Sequence, residues 1–314
     1  MGPWPFEDKR PEALLDFIDY CESVDIDSLW LSDRIVSPTV TLDPVTFMAY
    51  MASRMRNMKL GTSALVLPIR NPVILAKELA TLDFLSDGRL LLVVGLGSDE
   101  SRDFEATGVP REERGKRTDE AIVLMRKLWR EENVTFEGKF NSVKELTLLP
   151  RPYQKEGPPI WVGGRSNAAL RRAGRLGDGW LVSRATPQEV SQGIEAIRGY
   201  AASAGREVAE DHYGAFIPFF FARSPEKALD NAKESTRFRP DISPDGYCAL
   251  GPPEQVRRKL QEYIDAGATK FVMRPSGPGK TWYEQIKMLA SEVIRPLQTP
   301  FSKEERLVRT GMIH

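Results

Sequence analysis

Short apolar runs alternate with longer amphipathic stretches along most of the chain, and this rhythm limits the fold more than any other feature. Strands separated by helix-length segments come out parallel, because each helix crosses back over a sheet face before the next strand begins. Helical spacing runs over residues 11–23, 45–56, 72–85, 111–130, 167–176, 187–204, 225–235, 254–266 and 281–294. The runs 26–31, 59–67, 89–94, 160–162, 179–183, 213–222 and 270–274 read as strands. Two stretches break the rhythm. The VTFEGKF pattern within 133–150 predicts a small hairpin, and 237–251, rich in Pro, Asp and Gly, reads as an inserted loop.

Those strands number seven, one short of a closed barrel. The missing one belongs before the first helix, where only MGPWPF stands, so the first strand is short or truncated. A doubly wound open sheet is the alternative, but no G-x-G-x-x-G follows an early strand. The reading is therefore α/β, a (β/α)8 TIM barrel with insertions. No linker, repeat or low-complexity segment divides residues 1–314, which predicts one domain.

Composition narrows the function. Lys plus Arg and Asp plus Glu both total 44, and no basic stripe stands out, which speaks against nucleic-acid or membrane-surface binding. Cys21 and Cys248 lie far apart and read as reduced thiols of a cytoplasmic protein. The start MGPWPFEDKR lacks an apolar signal core, and no apolar run approaches the ~18 residues of a membrane span. His212 and His314 are the only histidines, which leaves little for a histidine-rich metal site or a Ser-His-Asp triad.

In a barrel, chemistry sits where strands run out into loops at their C-terminal ends. The first strand read here runs into Ser32-Asp33-Arg34, the second delivers Thr62, Ser63 and Ala64, and the third exits through Gly95-Leu96-Gly97-Ser98. The run 160–162 leads through Gly163-Gly164-Arg165-Ser166 straight into a helix. Two glycines there let a ligand approach the backbone, and a helix start offers free N–H groups to a phosphate. Arg165 adds a guanidinium fork and Ser166 a hydroxyl; equally, the segment is a Gly-rich turn with Ser166 as helix cap.

Other features have simpler readings. Gly95-Leu96-Gly97 is by itself a tight turn, and Asp33-Arg34 is either a surface ion pair or a rim pair facing a ligand. Asp83, Ser86 and Gly88-Arg89 read as a structural helix end, and Arg114, Arg117 and Glu120 as a solvated helix face. Asp178-Gly179-Trp180 reads as a packing motif and His212 as a structural or surface residue.

Taken together, five ordered segments resemble the bacterial-luciferase-like superfamily of flavin and deazaflavin oxidoreductases. They are DSLWLSDR at 27–34, LGTSALVLPIRNPVILAKELATLDFLSDGRL at 60–90, VGLGSDESRDFEATGVPREERGKRTDE at 94–120, PPIWVGGRSNAALRRAGRLGDGW at 158–180 and GATKFVMRPSGPG at 267–279. The resemblance covers nearly the whole chain. It implies a TIM barrel with an insertion after the seventh strand, a place that the 237–251 loop fits. It also implies a non-proline cis peptide at Ser63-Ala64 that backs the cofactor ring. Gly163, Gly164, Arg165 and Ser166 would then hold the phosphate, Gly95, Gly97 and Ser98 would lie beside the ring, and Asp33 would approach its edge.

The GTSA and GGRS segments look like members that use the deazaflavin coenzyme F420. FMN is the alternative cofactor, in a monooxygenase served by a separate flavin reductase, and a non-catalytic flavin-binding protein is a further one. Sugar-phosphate and alcohol dehydrogenases of the deazaflavin branch carry a histidine where Arg34 stands, and a glutamate proposed as proton donor in some members is replaced by Ser98. A permanently charged Arg34 is no ordinary base. Asp33, Arg34 and Ser98 are thus the catalytic candidates of a reductase acting on a small organic substrate, more readily than of an alcohol dehydrogenase. The resemblance also implies a homodimer. Met48, Met51 and Met55 form one helical stripe near the implied interface, although a core-facing stripe is the simpler reading.

Overall fold

The computed structural model describes residues 10–233 and 235–297. The stretch MGPWPF, 1–6, where the first strand is expected, lies outside the described residues, as does His314. Strands and helices then follow the expected order. Helix α1 (Pro11–Ser23) leads to β1 (Ser28–Leu31), α2 (Pro44–Ala52), β2 (Lys59–Thr62), β3 (Leu65–Val66), α3 (Pro72–Leu85) and β4 (Leu90–Gly95). Helices α4 (Asp103–Thr107) and α5 (Arg114–Arg130) precede the hairpin of β5 (Val134–Glu137) and β6 (Ser142–Leu146). The alternation resumes with β7 (Ile160–Gly163), α6 (Asn167–Leu176), β8 (Gly179–Ser183), α7 (Pro187–Ala202), β9 (Tyr213–Phe221) and α8 (Pro225–Lys233). It closes with β10 (Ala249–Gly251), α9 (Pro253–Asp265), β11 (Lys270–Pro275) and α10 (Trp282–Met288), which runs on through a π-helical segment (Leu289–Ile294) into α11 (Arg295–Leu297).

Local chemistry sets the helix starts. Pro72 opens α3 while the Asn71 side chain accepts from the Val73 and Ile74 amides at 2.9 and 3.2 Å. At α7, Thr186 and Glu189 form a reciprocal capping box.

All strands but the hairpin pair run parallel, in the order β1-β2-β4-β7-β8-β9-β10, with β3 on β4 and β11 on β9. The sheet curls. Trp30, Val93, Trp161, Leu181 and Val272, from five different strands, meet in one cluster on its concave side. Two glycines make room for its indoles: a Cβ on Gly61 would lie 2.3 Å from Trp30, and one on Gly179 2.5 Å from Trp161. The larger core lies between the sheet's outer face and the helices. Among the described residues no ladder joins β1 to β11, so these two strands border a seam.

Three expectations change. The run 59–67 is two short strands, interrupted at Ser63-Ala64 and followed by a 3-10 turn at Leu67–Ile69. The stretch 237–251 is not wholly loop: Ala249–Gly251 adds a parallel strand to the C-terminal end of β9, too short for periodicity to reveal. Helix 111–130 begins as a 3-10 turn at Arg111–Glu113, and the five residues of α4 escaped the sequence reading.

Candidate functional site

Ser63-Ala64 is a cis peptide, as the resemblance implied. Its surroundings are fixed by side chains. The Thr62 hydroxyl donates to the Val93 carbonyl at 2.8 Å and accepts from the Val93 amide at 3.0 Å, carrying the β2–β4 pairing across the interruption. The Ser63 amide reaches back to the Leu31 carbonyl. Beyond the break, the Val66 amide donates to Asp33 at 2.9 Å.

Asp33 is therefore occupied. Besides Val66 it accepts from Nε and Nη2 of Arg70 at 3.1 and 2.9 Å, and its side chain is only 1% exposed. Arg70 turns its Nη2 also to Asp43 at 2.8 Å. Burial alone would lower the Arg70 pKa, yet its bonds to and the charges of Asp33 and Asp43 hold it above the usual value. The carboxylate pins the loop after β1 to β3, and so positions the cis peptide. Sequence reasoning missed Arg70, because a lone arginine between apolar residues and a helix cap carries no periodic signal.

Against this kink lie two glycines. A Cβ on Gly95 would stand 3.0 Å from the Ala64 Cβ, and one on Gly163 3.6 Å from the same atom. Ala64, Gly95 and Gly163, far apart in sequence, thus form one small-residue floor just past the C-terminal end of β2 and at those of β4 and β7. Gly164 follows at φ +121°, its carbonyl held by Trp180 Nε1 at 2.8 Å. Ser166 caps α6, accepting the Ala169 amide at 3.3 Å. Gly164, Arg165 and Ser166 are exposed at this helix start. Arg165 donates weakly to the Arg184 carbonyl at 3.4 Å. Burial and the nearby charge of Arg239 lower its pKa. Arg239, unmarked by sequence reading, bonds the same Arg184 carbonyl and Glu189.

Gly97 and Ser98 stand differently. Gly97 takes φ +74°, and a Cβ there would meet Val66 and Phe104 at 3.1 and 3.2 Å, so its role is close packing of the turn. Ser98 is exposed, and its carbonyl accepts from Arg111, which also gathers the Asp99 and Ser101 carbonyls. An Arg237–Glu100 ion pair and a Val36 amide bond to Asp103 at 2.7 Å tie the rim loops together.

A cavity of about 980 Å³ runs along the seam between β1 and β11. Ser32, Asp33, Arg34, Ser63, Arg237 and Arg274 line one end of it. Arg34 is exposed there. At the other end Lys59 and Asp27 lie 3.9 Å apart beside Lys270.

The features given structural readings largely keep them. Asp83 is buried, accepts Gln154 Nε2 at 2.7 Å, and has its pKa raised by burial. Asp178 accepts the Ile160 amide, and His212 bonds the Asp178 carbonyl at 2.6 Å. Met48, Met51 and Met55 face the core. The Arg117–Glu120 face is a correction. Glu120 is no solvated side chain: it accepts the Lys139, Phe140 and Asn141 amides at 2.7, 3.0 and 2.7 Å, while Arg117 lies 4.5 Å over the Phe140 ring. Among the described residues no helix is long and apolar enough to cross a membrane, and no cluster of metal-ligating side chains occurs.

The model of the luciferase-like monooxygenase family matches residues 2–243. An F420-dependent glucose-6-phosphate dehydrogenase of Kineococcus radiotolerans is 28% identical over 328 residues, covering 94% of this chain and 95% of that one. A 5,10-methylenetetrahydromethanopterin reductase of Methanolobus tindarius is 25% identical over 316 residues, covering 87% and 93%. The structure of a coenzyme F420 dependent tetrahydromethanopterin reductase from Methanopyrus kandleri has the same fold, with TM-score 0.78 at 21% identity over 93% of this chain and 97% of that one.

Proposed function

The chain belongs to the luciferase-like monooxygenase family, and from that membership together with its F420-dependent relatives we propose an enzyme that uses coenzyme F420 to reduce a small organic substrate. The small-residue floor carries this reading. Ala64, Gly95 and Gly163 leave a shelf that a side chain would fill, suited to a flat ring system. Beside it the N-terminus of α6, with Arg165 and Ser166, suits a phosphate-bearing tail. The bound deazaflavin supplies a hydride at its ring carbon C5. Ala64 backs the ring, Asp33 holds that backing in place through Val66 and Arg70, and Arg34 faces the substrate space.

Reduction is favoured over alcohol oxidation by the state of the acids. A base must be free to take the alcohol proton. Of the cavity's carboxylates, Asp33 is held by Arg70, and Asp27 lies with Lys59 at the far end. Arg34 lines the cavity and is placed to orient a carbonyl, while Ser98 stands on the exposed rim outside the cavity lining.

The family's own description as a monooxygenase favours a second reading, for which we take FMN as the cofactor and a separate flavin reductase as its supplier. Parallel fluorescence titrations with F420 and FMN separate the two. Preference for F420, followed by oxidation of reduced F420 on adding a reducible substrate, is the expected result. Tight FMN binding with oxygen uptake from reduced FMN would replace it with the second reading.

A further inference from the structure

We propose that Arg274 anchors an oxyanion of the substrate, so that the molecule reduced carries a carboxylate or a phosphate; this rests on the oxidoreductase reading above. Side chains alternate along β11, and Val272 belongs to the interior cluster. Lys270 and Arg274, two positions to either side, therefore point into the barrel as well. Lys270 confirms this, with its Nζ 5.6 Å from the Trp161 ring centre. Arg274 occupies the C-terminal layer, and it lines the same cavity as Ser63 of the cis peptide.

Its bonding is incomplete. Arg274 donates Nη2 to the Ser235 carbonyl at 3.2 Å, while its buried Nε has no partner. No carboxylate pairs with it among the described residues. Arg70, Arg126, Arg172 and Arg239 are also sheltered, and each meets an acid: Asp33, Asp178, Asp119 and Glu189 respectively. Burial lowers the Arg274 pKa with no charge acting against it. A guanidinium nevertheless keeps its proton, and a sheltered cation without a counter-charge is costly. An oxyanion entering from the cavity supplies that charge and takes the idle Nε–H in a forked bond.

The neighbouring charges agree. Asp33 is already neutralised by Arg70, and Glu100 by Arg237. Arg34, on the facing margin of the seam, adds a second positive group to the same cavity. The cavity mouth is thus electropositive, while the chain as a whole is balanced.

Calorimetric titration of inorganic phosphate, and separately of acetate, into the protein with F420 already bound tests the site; saturating the coenzyme keeps its own phosphate from competing. Wild type should bind one or both anions. Arg274→Met should weaken that binding about tenfold or more, the equivalent of ~1.4 kcal/mol. Arg274→Lys should fall between, and coenzyme affinity should stay within about twofold in both variants. Phosphate alone binding would assign a phosphorylated substrate, acetate alone a carboxylate. Absence of anion binding in wild type, or equal binding in Arg274→Met, would overturn the proposal. Should Arg274→Met fail to fold, Arg274→Lys is decisive by the same comparison. Absence of F420 binding in wild type, with an Arg274-dependent anion site found when the titration is run without coenzyme, would instead sink the F420 reading alone.

Discussion

Asp33 and Arg70 show how a residue next to the chemistry can act wholly through others. With its carboxylate 1% exposed and met by three N–H groups, Asp33 supports the backbone that shapes the ring shelf. Removing one member of such a sheltered pair leaves a buried charge alone. Arg70→Met should therefore destabilise the fold by ~3–5 kcal/mol. Asp33→Asn with Arg70→Met should cost less than the two single changes added, read from urea denaturation midpoints. At the shelf itself, a Cβ on Gly163 meets its neighbours only at 3.4–3.6 Å, ordinary contact. Gly163→Leu should keep a thermal midpoint within a few degrees of wild type while abolishing F420 binding; unchanged affinity would remove Gly163 from the cofactor site.

Elements were legible in proportion to their length and regularity. Helix α6 could be read down to its cap, Ser166, because a capping side chain and an apolar stripe both lie within a dozen residues. The hairpin too was legible as an interruption, but not what fastens it. Glu120, on α5, ties three backbone amides of its turn, and a carboxylate on a charged helix looks the same whether it meets water or backbone. Glu120→Ala should leave global stability lower by ~1–3 kcal/mol. It should also speed hydrogen exchange at residues 139–141 far more than in β7 or β8; uniform exchange would contradict this capping role. Strand β10 and helix α4 were missed because three and five residues are fewer than a periodic pattern needs.

Across the whole molecule, the two thiols report on core integrity. Cys21 and Cys248 are both buried, and burial pushes each thiol up to about 12. Their folded pKa lies above that of an unfolded thiol, ~8.5. The stability they contribute is thus complete below that lower value and is lost as pH rises towards about 12. At pH 8 neither should react with a disulfide reagent until denaturant unfolds the chain, and rapid labelling of the native protein would show that the core opens readily.

The alternation of apolar runs and amphipathic stretches determined by itself that the sheet is parallel and covered by helices, because these periodicities are local properties of backbone geometry. It also placed the glycine-rich strand ends, since chemistry in such a fold collects where strands stop. Only the tertiary structure decided that Ala64, Gly95 and Gly163 share one shelf, that Asp33 is spoken for by Arg70, and that Arg274 is not spoken for at all. Those facts depend on which strands become neighbours and which charges find partners across 30 or more residues, and no local pattern encodes the partner of a side chain.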